Sequence, residues 1–392
     1  MMQHILVINA GSSSVKLSVF EVQENNLVRV INARAVRLFH KDAQITIYDE
    51  NKKVQVEKNL DEVTVELPNH KAAIEFFLGW LTQQQNIDLV TVGHRVVHGG
   101  PKYAKPVVIN EEVEKDLHGY QSLAPLHQPH NLAPVNVIKD LYPDLLQIAC
   151  FDTAFHQTMP EVAKRFAIPE KYFNEGVRRY GFHGLSYEYI AECLPNIKTK
   201  KVIIAHLGNG ASMCALANGK SVATTMSFTP LDGLVMGTRC GDLDPGVVLH
   251  LMSHYSLQAE EISTMLYKQS GLLAVSQETN NMRKLLDSNS RAAAKAVDQF
   301  CYQANRLIGA LTAELGGLDQ LIFTAGIGEN SAVIREKICN LASWLGMETD
   351  PQANQDNKST ISNQSSSVEI SVIATNEALM IAKHAVKIFK NF

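Results

Sequence analysis

Three short turns of small residues could hold a polyphosphate: Asn9-Ala10-Gly11-Ser12-Ser13-Ser14, Leu207-Gly208-Asn209-Gly210-Ala211-Ser212 and Ala325-Gly326-Ile327-Gly328-Glu329-Asn330. Phosphate oxygens are held by backbone N–H groups, and small residues let the backbone come close. Each turn follows an apolar run, and nucleotide sites in α/β sheets form at strand ends. One glycine-rich turn is weak evidence; three at strand ends in one chain are much stronger. None reads G-x-x-x-x-G-K-[ST], which excludes a P-loop, and none reads G-x-G-x-x-G ahead of a helix, which disfavours a dinucleotide fold.

Polar residues at other predicted strand ends supply reactive groups. Gly93-His94-Arg95-Val96-Val97-His98 places Arg95 just past a strand, where a guanidinium suits bidentate capture of a carboxylate or phosphate, the alternative being a surface or structural arginine. Phe151-Asp152-Thr153 places Asp152 past another strand, where it suits orientation of substrate or metal, base chemistry, or a helix N-cap. Tyr180-Gly181-Phe182-His183-Gly184 sets His183 on an open, glycine-flanked turn, and Gly237-Thr238-Arg239-Cys240-Gly241 sets Arg239 in a loop. Two arginines and a histidine without metal-ligand spacing suit phosphoryl transfer, whose transition state spreads negative charge over equatorial oxygens. No G-x-S-x-G elbow occurs, which disfavours serine-hydrolase chemistry.

The elements that must position these groups read as strands alternating with helices, an α/β class with a largely parallel sheet. Ile5–Ile8 is a continuous apolar run, and Val15–Phe20 is a second strand, so the first turn is the tip of a hairpin. Val202–Leu207, a glycine turn and Met213–Ala217 repeat that pattern about half a chain later, which implies an internal duplication with one hairpin opening each domain. Asp88–Val92 and Leu145–Phe151 read as buried strands, Ala72–Leu81 as a helix, residues 349–367 as a solvated loop, and residues from Glu377 on as an amphipathic C-terminal helix. A length of 392 residues suggests two domains. A net charge of −4 gives no support to nucleic-acid or acidic-membrane partners. The six cysteines lack C-x-x-C spacing and mostly sit in apolar runs, which suits reduced buried thiols. The start lacks a signal-peptide pattern and no apolar run approaches ~18 residues, so the expected location is the cytoplasm.

Residues 7–16, VINAGSSSVK, and 226–242, MSFTPLDGLVMGTRCGD, resemble the two signatures of the acetate kinase family. GHRVVHGG, FDTAFHQ, YGFHG, HLGNGAS and FTAGIGENS match in family order, so the resemblance spans essentially the whole chain. It implies an acetate and sugar kinase/actin-type fold: two duplicated ribonuclease-H-like domains, 1–150 plus 379–392 on the acyl and phosphate side and 151–378 on the nucleotide side, with an active-site cleft between them. It implies reversible transfer of the ATP γ-phosphoryl to acetate, an Mg²⁺ requirement that Mn²⁺ can satisfy, and a homodimer. By matching position, Asn9 and Glu377 are metal-associated. Lys16 contacts nucleotide phosphate, and Arg95 binds the carboxylate. Asp152, His183 and Arg239 are catalytic, with Asp152 in a positioning or metal-organising role because a carboxylate nucleophile is already ionised. Val97, Leu126, Phe182 and Pro230 form the methyl pocket. His206, Leu207, Gly208, Asn209, Gly210, Asn281, Met282, Arg283, Gly326, Ile327, Gly328, Glu329 and Asn330 bind ATP.

The chain departs from the family pattern twice. Asn281-Met282-Arg283 carries an amide where an aspartate is usual, and Gly184-Leu185-Ser186-Tyr187 has leucine and tyrosine where threonine and histidine are common. Two rival readings stay open: a propionate or butyrate kinase on the same scaffold, and an actin-like or chaperone-like ATPase.

Overall fold

The computed structural model describes residues 2–24, 26–62, 64, 66–84, 87–125 and 127–392. The chain divides into two compact units, Met1–Phe155 with Asn376–Phe392, and His156–Thr375. The crossings fall a few residues from the sequence-based boundaries, so Asp152 and Glu377 lie in the first unit.

The first unit is built on strands β1 (Gln3–Ala10), β2 (Ser14–Val22), β3 (Leu27–Val36), β4 (Gln44–Asp49), β5 (Val54–Asn59), β6 (Asp88–Val96), β7 (Val107–Val108) and β8 (Leu146–Phe151). Their order in the sheet is β5-β4-β3-β2-β1-β6-β8-β7. The β1–β2 hairpin is antiparallel with Asn9 opposite Lys16, whereas β6 runs parallel to β1 and β8 parallel to β6. Ile5 to Ile8 are all buried, as a strand covered on both faces requires. In β2, Val15, Leu17 and Val19 point inward while Lys16 is exposed. The helix Glu377–Phe389, capped by the Asn376 side chain on Leu379 N–H (3.1 Å), buries Met380, Ile381, Ala382 and Ala385. It packs on β1, β6 and β8. Gly93 makes that approach possible, since a Cβ there would stand 2.5 Å from Ile381 Cγ2. Burying Met380 and Ile381 contributes roughly 1.5–3 kcal/mol each, which fastens the last helix to this unit.

The second unit holds β9 (Lys201–Leu207), β10 (Ala211–Ala217), β11 (Lys220–Thr224), β12 (Gln320–Thr324) and β13 (Glu369–Val372), in the order β11-β10-β9-β12-β13. That order and its strand senses repeat β3-β2-β1-β6-β8, so the duplication read from the hairpins is present in the topology. The helix Arg291–Leu315 buries one stripe, including Ala293, Val297, Phe300, Ala304, Ile308 and Leu311. Ser290 caps its start and Gly316, at φ +67°, ends it.

Three local readings need correction. Arg95 lies inside β6 rather than past it, because β6 stays paired with β8 as far as Val96 opposite Phe151. The third turn is a short helix, Ala325–Asn330, whose reversal at Ala325 (φ +66°) is held by Ala325 N–H donating to Glu329 Oε1 at 2.8 Å. Residues 349–367 contain a helix, Pro351–Gln355, because Asp350 caps Ala353 N–H. The cysteines are all free thiols, four of them buried. Among the described residues no helix is long and apolar enough to cross a membrane.

Two buried imidazoles make stability depend on pH. His94 meets Gln147 Oε1 at 2.8 Å, and His156 meets the Phe182 carbonyl at 2.9 Å. Burial pushes both pKa values down to about 4, against an ordinary 6.5. The unfolded chain therefore takes up protons first as pH falls, so stability is full above about pH 6.5 and declines toward pH 4. Denaturant unfolding at pH 7 and pH 5 should show a clearly lower midpoint at pH 5; equal midpoints would contradict neutral, buried imidazoles.

Candidate active site

In the first unit the turn between β1 and β2 has its carbonyls tied back. Ala10 O accepts from Asn131 Nδ2 (2.6 Å) and Gly11 O from His70 Nε2 (2.6 Å). Ser13 O accepts from Leu38 N–H (3.0 Å) and Ser14 O from Gly11 N–H (2.8 Å). Ser12 and Ser13 are exposed, and their N–H and hydroxyl groups make no hydrogen bond among the described residues. A turn with its acceptors occupied and its donors open favours an anion. His70 begins the helix His70–Leu81 and is buried against Phe39 (5.5 Å) and His130 (5.4 Å). Burial, followed by the effect of the neighbouring His130, lowers its pKa despite the Gly11 and Ser14 carbonyls, so it acts as a neutral N–H donor.

Arg95, Asp152, Asn9 and Glu377 gather at the ends of β6, β8 and β1 and at the start of the last helix. Arg95 Nε donates to Asp152 Oδ1 (3.0 Å), Nη2 to Asp152 Oδ2 (2.5 Å) and Nη1 to Asn9 Oδ1 (3.2 Å). Burial opposes the Arg95 charge, but the carboxylates of Asp152 and Glu377 outweigh it and raise the pKa. Two of the five guanidinium N–H groups make no hydrogen bond among the described residues. Asp152 is 1% exposed, so its carboxylate serves Arg95 rather than solvent. Val97, two residues after Arg95, is buried, and its N–H donates to Asn131 Oδ1 (2.9 Å), so Asn131 joins the turn to this residue. Leu126 lies outside the described residues.

In the second unit, Gly208–Gly210 joins β9 to β10. His183, at φ +59°, precedes the helix Gly184–Cys193. Its Nδ1 lies 2.8 Å from Ser212 Oγ, and its ring stacks on His206 at 4.2 Å. Arg239 Nη1 donates to Pro230 O at 2.9 Å. A Cβ on Gly210 would stand 3.6 Å from His183 Nε2 and 3.7 Å from Arg239 Nη1, so both donors reach the same stretch of backbone. Phe182, adjacent to His183 in the chain, and Pro230, whose carbonyl Arg239 holds, are both buried.

A cavity of about 720 Å³ lies alongside, of a size that suits a nucleoside. It is lined by Asn209, Asn281, Met282, Arg283, Gly326, Ile327 and Asn330, together with Asn280, Leu286 and Ser331. His206, Leu207, Gly208, Gly210, Gly328 and Glu329 stand outside that lining. Asn281 Oδ1 accepts from Lys284 N–H (3.2 Å), which commits its oxygen to the start of the helix Met282–Asp287. Glu329 Oε1 accepts from Ala325 and Thr375 N–H (2.8 and 3.0 Å), a supporting role. The fully buried Arg335 holds the Gly328 and Glu329 carbonyls (2.8 and 3.1 Å).

Sequence reasoning missed His70, Asn131 and Arg335, and it named Ser212 only as part of a turn, not as the partner of His183. His70, Asn131 and Ser212 support groups distant in the chain, Arg335 supports carbonyls six and seven residues before it, and no sequence motif signals these contacts. Removing His70 leaves Gly11 O unsatisfied, at about 1–3 kcal/mol. His70→Ala should speed amide exchange across residues 11–14; unchanged exchange would show that the imidazole does not hold the turn.

The sequence model of the Acetokinase family matches residues 4–383. A relative from Rickettsia akari (strain Hartford) named acetate kinase is 45% identical over 388 residues, 98% of each chain. A solved propionate kinase from Francisella tularensis subsp. tularensis SCHU S4 superposes with TM-score 0.91 at 36% identity, covering 98% of this chain and 100% of that one. Porphyromonas gingivalis acetate kinase gives 0.86 at 36% identity, covering 98% and 99%.

Proposed function

This chain belongs to the acetokinase family, and from that premise we propose that it transfers the terminal phosphoryl group of ATP to acetate, reversibly, giving acetyl phosphate and ADP. Its fold is the acetate and sugar kinase/actin-type pair of duplicated ribonuclease-H-like domains. The observation that carries the reading is Arg95, oriented by Asp152 and lying two positions before the buried, apolar Val97, with two N–H groups that make no hydrogen bond among the described residues. That combination suits a short carboxylate: charge at one end and a methyl group at the other.

In this reading the first unit serves the acyl substrate and phosphate, and the second binds the nucleotide. Acetate needs no general base, because its carboxylate is ionised at neutral pH. Asp152 acts by holding the Arg95 fork in place. His183 Nε2 and Arg239, which approach the same loop, donate to the transferring phosphoryl oxygens as charge spreads over them. Adenosine occupies the 720 Å³ cavity, and Lys16 and the Ser12–Ser13 donors take nucleotide phosphate oxygens. Val97 contacts the methyl group.

We assign Mg²⁺ to Asn9 and Glu377. Among the described residues no cluster of three or more His, Cys, Asp or Glu could hold a metal alone. Two hard oxygen donors fit an ion bound chiefly by nucleotide phosphates and water. When bound, the ion neutralises phosphate charge. A homodimer and a cytoplasmic location belong to the same reading. The helix Pro245–His254 buries no residue and, with Tyr255 just beyond it, exposes Val247, Leu249, Met252 and Tyr255, an apolar face that a second copy would cover.

A propionate kinase is the second reading, favoured by the likeness to the Francisella enzyme. One methylene is worth only ~1–3 kcal/mol in an apolar pocket. Acyl-phosphate trapping with Mg-ATP should rank acetate above propionate and butyrate, and Val97→Ala should shift the kcat/KM ratio toward propionate. Trapping of no acyl phosphate, with carboxylate-independent ATP turnover, would instead favour an actin-like or chaperone-like ATPase. Arg95→Ala should raise KM for acetate by tenfold or more, as loss of a charged hydrogen bond of about 1.5–3 kcal/mol implies. Arg239→Ala should act on kcat with little change in KM for ATP. Wild-type acetate saturation in the first, or a pure ATP-affinity defect in the second, would remove the assigned role.

A further inference from the structure

Tyr187 stands where the family pattern commonly has histidine, and the proposed chemistry leaves it without a task. It lies in the first turn of the helix Gly184–Cys193, fully buried, and its N–H donates to the His183 carbonyl at 3.1 Å. Its hydroxyl lies 2.5 Å from Ser212 Oγ, and the same Ser212 oxygen lies 2.8 Å from His183 Nδ1. Ser212 is itself fully buried, one residue into β10.

We propose that Tyr187 is a positioning residue that selects the tautomer of His183 through Ser212. The proposal rests on the reading of His183 as a donor to the transferring phosphoryl group. A phenol is a stronger acid than an aliphatic alcohol and therefore the better donor, so Tyr187 gives its hydrogen to Ser212 Oγ. Ser212 has one hydroxyl hydrogen, which then points to His183 Nδ1. With Nδ1 accepting, the ring hydrogen sits on Nε2, the nitrogen that faces Gly210 and the loop. A hydrogen there can stabilise a phosphoryl oxygen; a lone pair would repel it. The opposite order, Nδ1–H to Ser212 and Ser212 to Tyr187, would present that lone pair.

Two further features fit this role. Burial raises the Tyr187 pKa well above its ordinary 10, so the hydroxyl keeps its hydrogen throughout the working pH range. The stacked His206 ring, 16° from parallel, fixes the plane of His183, and His206 Nδ1 meets Ser186 Oγ (2.9 Å) on the same helix. The stack sets the ring's orientation, and the hydroxyl pair sets which nitrogen carries hydrogen.

The test is imidazole ¹⁵N NMR of the full-length protein, combined with kinetics of Tyr187→Phe. The wild-type protein should show His183 mainly as the Nε2–H tautomer. Tyr187→Phe should populate the Nδ1–H form and lower kcat about tenfold, the effect of losing one hydrogen bond's selection, with KM for ATP within about twofold. Ser212→Ala removes the relay altogether, so Tyr187→Phe added to it should lower kcat no further. If Tyr187→Phe does not fold, Ser212→Ala carries the same tautomer readout. An unchanged tautomer and unchanged kcat in Tyr187→Phe, or additive losses in the double variant, would overturn the proposal. His183→Ala separates the two ideas: full kcat there would remove the phosphoryl contact, while the tautomer shift would still decide the relay.

Discussion

Burying a guanidinium costs several kcal/mol unless charge and hydrogen bonds are returned to it. Arg95 is mostly buried at the end of β6, and everything around it answers that demand. The parallel register sets Arg95 beside Cys150 of β8, which brings Asp152, two residues on, to the guanidinium. The same β6 pairs with β1 through Ile8 and His94, which brings Asn9 to the third N–H. Glu377 arrives from the other end of the chain because the last helix packs on these strands. A slip of one residue in either strand pair would turn these side chains to the opposite face, so sheet register and site geometry are one constraint.

The second unit repeats the strand order but applies it to different chemistry. Its hairpin loop presents backbone between His183 and Arg239 in place of serine hydroxyls, and its β12 leads into a short helix beside the large cavity. Both units treat their turns alike in one respect. Side chains from elsewhere hold the carbonyls, as His70 and Asn131 do for residues 10–11 and Arg335 for residues 328–329. Gly237 shows how close the packing is around the second loop: a Cβ there would lie 2.0 Å from Asn209 Oδ1, so only hydrogen fits. Backbone aimed at a ligand needs this kind of support, since a free turn would close on itself or on water.

Much of this was legible in the residues. Apolar runs ending in glycine and serine marked the hairpins, and their recurrence marked the duplication, because burial on two faces leaves a contiguous hydrophobic signature. Arg95 and Asp152 stood out as charged groups at strand ends, and His183 and Arg239 as polar groups in glycine-flanked turns, because such placements are hard to explain as packing. The exact end of β6 and the helical form of residues 325–330 were not legible. Pairing with β8 and a carboxylate from four residues downstream decided them.

The sequence by itself therefore determined the class of fold, its duplication and the candidate reactive side chains, since these follow from local periodicity and residue type. Tertiary structure decided who supports whom. The 59-residue separation of His70 from Gly11, the 121 between Asn131 and Ala10 and the 25 between Tyr187 and Ser212 are closed only by folding. A hydrogen bond depends on distance and angle in space, and sequence spacing carries neither across separate elements.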